Sequence, residues 1–241
     1  MEQKSAEALL DEVVCSGVAI DVFHADYVRR LFEELDGFVQ AINNTGIGKV
    51  FFANLQIILE RHLYLSLMRL YEPYSKRNPG RSIPAAVHLI SSRAADLRIT
   101  DRKPLAEYLP GIGALDTGAP PLRDEEVSLR LAACLEAAVP KADSSSDRPL
   151  DQALAKLKAV RDKMIAHHDR VDPASLLVPE WPKIVELIHI AGRFVVLVAE
   201  AYLGVQHDLA SDTGWPVTSV RRLLKRAGLE PDAVPSGSDA T

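Results

Sequence analysis

The stretch VRDKMIAHHDR, residues 160–170, gathers Arg161, Asp162, His167, His168 and Asp169 at the end of the helical run PLDQALAKLKA. A histidine with a pKa near 6.5 takes or gives a proton at neutral pH. An arginine grips a phosphate or carboxylate through two parallel N–H bonds. Such residues can make an acid–base site, a metal site, or a charge-paired helix end in water. Neighbouring residues on a helix diverge by about 100°, so His167 and His168 cannot easily face one ion. Arg161 and His168 lie seven positions apart, on nearly one face. Arg161 and His167, six apart, diverge by roughly 120°. One helix alone therefore presents Arg161 and His167 to different neighbours, although a groove built from two copies of the chain could gather both. Asp162 and Asp169 can each orient a basic partner. On the residues alone, the acid–base site and the solvated, charge-paired helix end both stay open.

Other chemistries find less support. The sequence GIGK at 46–49 lacks the remainder of a phosphate-binding loop and sits between two helical runs. Cys15 and Cys134 are too few and too scattered for a disulfide framework or a cysteine-rich metal site. No cofactor is expected. His62, His88 and His189 each sit inside apolar helical runs and read as core or boundary histidines. Glu60, in the middle of ILERHLYL, needs a partner or water.

The elements that must position these residues read as helices throughout. The 241 residues are long enough for one substantial core. Charged residues make up 25% and the formal net charge is −5, which argues against a non-specific nucleic-acid coat but leaves room for a local basic cleft. Apolar residues recur at helical spacing over 18–43, 48–72, 149–168 and 182–203, and these four runs are expected to form the core bundle. The run at 48–72 is apolar on much of its circumference, as a central helix would be. Gly17 can end a short first helix, and Ser82 is an N-cap with Pro84 in the first turn. PGIGALDTGAPP at 110–121 is a loop, and KADSSSDRP at 141–149 is the most linker-like interior stretch. The division expected is an all-helical domain over 1–205, a short basic C-terminal helix within 206–230, and a mobile polar tail at 231–241. Arg221, Arg222, Lys225 and Arg226 on that helix are either a solvated face or an extension of a nucleic-acid surface. The most apolar stretch, IAGRFVVLVAEAYLGV, is interrupted by Arg193 and Glu200, so no membrane span is expected and the cytoplasm is the default location.

RDKMIAHHD resembles the Arg-x(4–6)-His signature of the HEPN superfamily, in the form Arg-polar-x-x-x-Ala-His, and the branch it suggests is the abortive-infection, AbiU-like one. The layout agrees over about residues 15–205. RHLYLSLMRLYEPYSKRNPGRSIPAAVHLI leads, after further helices, to the motif helix and then to one more long helix. The resemblance implies an all-α, HEPN-like helical bundle with additional peripheral helices. It assigns Arg161 and His167 to the motif's arginine and histidine, and Asp162 to the polar position between them. His168 satisfies the family spacing as well. Relatives are commonly homodimeric, metal-independent endoribonucleases of toxin–antitoxin or phage-defence systems, with an antitoxin or nucleotidyltransferase partner. Others are silent modules that bind RNA or protein. In the active form the ribose 2′-hydroxyl is the nucleophile and the product end is a 2′,3′-cyclic phosphate.

Overall fold

The computed structural model describes residues 4–46, 48–77, 80–109, 122–166, 177–207 and 214–231. These residues are almost entirely helical, and none of them forms a strand. The all-α expectation holds. In chain order the helices are α1 (Ala6–Val13), α2 (Ala19–Asp36), α3 (Val39–Thr45), α4 (Lys49–Leu70), α5 (Ile83–Ser92), α6 (Asp124–Ala138), α7 (Pro149–Ala166), α8 (Trp181–Val198) and α9 (Gly214–Arg226). Among the described residues no helix is long and apolar enough to cross a membrane.

The chain divides into two compact units. One comprises Met1–Ala25 and Tyr64–Leu209, the other Asp26–Leu63 and Ala210–Thr241. In the first unit α5 packs on α6 and α1, and α7 packs on α8. Leu67, Leu70, Ile83, Ile90, Leu131, Leu154, Leu157 and Leu187 are fully buried there. Removing any one to alanine would leave a cavity in close-packed surroundings. In the second unit Leu35, Phe38 and Ile42 close on Leu224 and Leu229, with Phe52, Leu55, Leu59 and Val220 packed against them. The basic helix α9 thus has an apolar side with a core of its own. Within the same unit, Arg221 donates to both carboxylate oxygens of Glu34, at 2.6 and 2.5 Å. Glu34 is buried, so this fork satisfies a carboxylate that would otherwise be costly there. Arg221 is therefore committed to Glu34, whereas Arg222, Lys225 and Arg226 stay exposed.

Three expectations about the helices need correcting. Gly17 does not end a helix. It lies in a π-helical turn, Val14–Val18, through which α1 continues into α2. A Cβ at Gly17 would stand 2.5 Å from Arg81 Cβ. The glycine is there to admit Arg81, whose guanidinium donates to Glu12 at 3.0 Å and to the Ser16 carbonyl at 3.1 Å. The run at 18–43 is two helices, because the chain turns at Gly37 between α2 and α3. Nor is the first part of α4 central, since Val50, Phe51, Ile57 and Ile58 are exposed. An apolar circumference reports what a helix can bury, not which chain covers it.

The supposed linker is a fixed strap. Asp151, buried in the first turn of α7, accepts from the Lys141 amide at 2.9 Å and from the Ser146 hydroxyl at 2.8 Å. Arg148 donates to the Ala137 and Ala138 carbonyls at 3.1 and 2.7 Å, satisfying the C-terminal end of α6. Asp151→Ala would leave the Lys141 amide without its acceptor. The expected cost is about 1–3 kcal/mol, the penalty for an unsatisfied part-buried donor, read from urea unfolding. Asp151→Asn, which keeps one acceptor oxygen, should lose less.

Candidate functional site

The strap and the start of α5 build the walls of a cavity of about 600 Å³ in the first unit. Ser82 is the N-cap of α5, as its sequence position suggests, and its hydroxyl accepts from the Ala85 amide at 3.3 Å. The same hydroxyl donates to the Glu72 carbonyl at 2.8 Å, which fixes the chain between α4 and α5. Below it, the buried Tyr71 hydroxyl donates to the Leu187 carbonyl on α8 at 2.6 Å. Burial pushes this phenol's pKa well above its ordinary value, so Tyr71 serves as a neutral donor. These two bonds hold Tyr74 over α5. The Tyr74 and His88 rings stack with centroids 3.9 Å apart and planes 20° from parallel.

Arg161 reaches the same cavity from α7, one turn beyond Lys158, and Lys141 reaches it from the strap. Three cations therefore share the lining with two carboxylates, Glu72 and Glu136. Arg161 Nε and Nη2 donate to one oxygen of Asp162 at 2.9 and 2.7 Å. A guanidinium has five N–H donors, so this pairing leaves most of the fork for an anion. The Arg161 side chain is only 25% exposed, while that of Asp162 is 53% exposed. Asp162 thus lies toward solvent and steers a partly covered arginine.

Of the residues the motif singles out, Arg161 and Asp162 are described and are paired with each other. His167 and His168 lie outside the described residues, as do Asp169, the loop at 110–121 and the tail from 232 onward. Glu60 is half-buried and does not line this cavity.

Sequence reasoning missed Tyr74, His88, Lys141 and Lys158. His62, His88 and His189 are all exposed, against the reading of core or boundary histidines. For His88 a signal was present. Ile83, Ala86 and Ile90 of α5 are buried on the core side, whereas Pro84, Val87, His88 and Ser91, spaced three, one and three apart, share the other side and line the cavity. A helix so apolar still has one strip that its core does not need.

Other reactive side chains fit nucleophilic or metal chemistry poorly. Cys15 lies 3.3 Å from His207 Nε2, but burial and the neighbouring Asp11 raise its thiol to about 11. It is protonated at neutral pH and therefore a weak nucleophile. Among the described residues no group of three histidine, cysteine, aspartate or glutamate side chains is arranged to hold a metal ion.

Against known proteins, the HEPN_AbiU2 family, described as AbiU2, matches residues 18–212. No curated protein and no solved structure matches the chain.

Proposed function

The chain belongs to the AbiU2 family of HEPN proteins, and from that premise we propose that it is a metal-independent endoribonuclease of toxin–antitoxin or phage-defence type. Membership supports an RNA-related, nuclease-associated role. The observation that carries the finer reading is Arg161, partly covered, steered by Asp162 and opening on a cavity with Lys158 and Lys141. This is a phosphate-binding arrangement. The 2′-hydroxyl of the ribose attacks the adjacent phosphorus, the P–O5′ bond breaks, and the products carry a 2′,3′-cyclic phosphate and a 5′-hydroxyl. A histidine, His167 or His168, removes the 2′-hydroxyl proton or delivers one to the O5′ leaving group. Arg161 stabilises the charge that builds on the phosphorane oxygens. The reaction consumes no metal or cofactor.

A homodimer belongs to this reading, with the motif helix or its groove at the interface, because the six-residue spacing of Arg161 and His167 would set them roughly 120° apart on one ideal helix. The exposed apolar residues Val50, Phe51, Ile57 and Ile58 of α4 add a surface that association could cover. A cytoplasmic setting and an antitoxin or nucleotidyltransferase partner complete the proposal. One preparation tests it. Full-length protein should show twice the chain mass by light scattering and should cut single-stranded RNA in EDTA, leaving cyclic phosphate ends. A monomer that cuts RNA would reject the dimeric site.

The second reading is a catalytically silent module that binds RNA or a partner protein. The Arg161–Asp162 pairing favours it, since a guanidinium already bonded within its own helix has less to offer a transition state. A properly folded dimer that binds RNA but leaves every RNA intact would decide for this reading.

A further inference from the structure

The Tyr74–His88 pair has no part in the proton transfer just described, yet it stands in the same cavity as Arg161. Two rings stacked at 3.9 Å cover one face of each other and leave the second face of each outside the pair. Tyr74 is half-buried and His88 is exposed, so the imidazole carries the face that a third flat ring can reach. Proteins read unpaired RNA bases by stacking them on histidine and other aromatic rings beside a cationic track for the backbone. Both parts are present here. Arg161 and Lys158, three residues apart on α7, line the cavity together with Lys141, whose backbone amide is held by the buried Asp151. Among the described residues neither Lys141 nor Lys158 forms an ion pair through its ammonium group. Glu72 and Glu136 supply acceptors for the N–H and O–H groups of a nucleoside. A volume of about 600 Å³ lies within the range of sites that enclose a small ligand.

We infer that this cavity holds one unpaired nucleotide of the RNA, its base stacked on His88 and its phosphate held by Arg161 with Lys158 and Lys141. Tyr74 backs the imidazole and keeps its plane fixed. The inference rests on the proposal that Arg161 meets an RNA phosphate, and it makes His88 a base-stacking contact, not a proton carrier. Bases of any identity can stack, so the subsite selects unpaired over paired RNA more than it selects sequence.

The test uses full-length protein with adenosine 5′-monophosphate, ribose 5-phosphate and inorganic phosphate as probes, followed by calorimetry, and the RNA cleavage assay beside it. The nucleotide should bind about ten- to a hundredfold more tightly than ribose 5-phosphate, the gain of one base stack. His88→Ala should erase that margin and leave phosphate binding as it was. His88→Phe should restore it, because a flat ring remains. Arg161→Ala should weaken all three probes. In cleavage, His88→Ala should raise KM with little change in kcat. Equal binding of the nucleotide and ribose 5-phosphate by the wild type would overturn the inference. So would a His88→Phe variant as impaired as His88→Ala, since the proton and not the ring face would then matter. Cleavage by His88→Ala with unchanged KM would overturn it while leaving the nuclease reading intact. Loss of the nucleotide margin in His88→Ala, in a protein that cuts no RNA, would uphold the inference and sink the nuclease reading.

Discussion

Arg161→Ala should lower RNA cleavage by about a hundredfold or more while the protein stays folded, the effect of removing one preorganised charge-stabilising donor group. The side chain is a quarter exposed and bonds among the described residues only to its neighbour Asp162, so its loss opens no core cavity. The deficit should therefore appear in kcat and kcat/KM, not in the unfolding midpoint. Arg161→Lys should recover part of the rate. It keeps the charge, but a point charge cannot follow two phosphorane oxygens as a planar fork does. Asp162→Ala should be milder than Arg161→Ala, because it releases the guanidinium without removing it. Asp162→Asn should be milder still, since the amide oxygen can accept the same two bonds. Wild-type cutting by a folded Arg161→Ala protein would reject this site.

The helices were legible because their signals are local. The N-cap at Ser82 with Pro84 behind it, the apolar period of α7 and α8, and the absence of any alternating strand pattern all act within a few residues of chain. The failures came where a distant residue decides. Gly17 carries the composition of a helix stop, but Arg81 is what requires its missing Cβ. KADSSSDRP has linker composition, yet the buried Asp151 and the C-terminal end of α6 hold it through named bonds. The apolar circumference of α4 suggests a central helix because hydropathy counts apolar residues without naming their cover, and Val50, Phe51, Ile57 and Ile58 are exposed. The site divides the same way. Arg161 and Asp162 are adjacent in sequence and their pairing could be foreseen. Tyr74, His88 and Lys141 come from a turn, a helix face and a strap far from α7 in sequence, and only the folded chain gathers them around Arg161.

The choice between His167 and His168 is where the sequence speaks most plainly, since neither residue is among those the structure describes. His167→Ala should cost about a hundredfold or more in kcat, the contribution of one positioned acid or base. His168→Ala should cost less. The order follows from the motif spacing and from a site shared between two copies, where the 120° divergence of Arg161 and His167 ceases to matter. Within a single chain the logic reverses, because by its seven-residue spacing His168 is the histidine that an ideal helix would set on the face of Arg161. An exchanged order of severity would therefore assign proton transfer to His168 and remove the main reason for a dimeric site. The larger effect belongs to the substrate. RNA carrying 2′-deoxyribose at the cut position lacks the nucleophile, so cleavage there should fall to background at any enzyme concentration that cuts the parent RNA. EDTA should change nothing, since the attacking oxygen needs a base and a clamp, not a metal-bound hydroxide. Cutting of the deoxy substrate would reject internal attack even if every protein variant behaved as expected. Undiminished cutting by both histidine variants would locate the acid–base chemistry elsewhere. In that outcome His88 is the first alternative, and the failure of His88→Phe to replace it would say so.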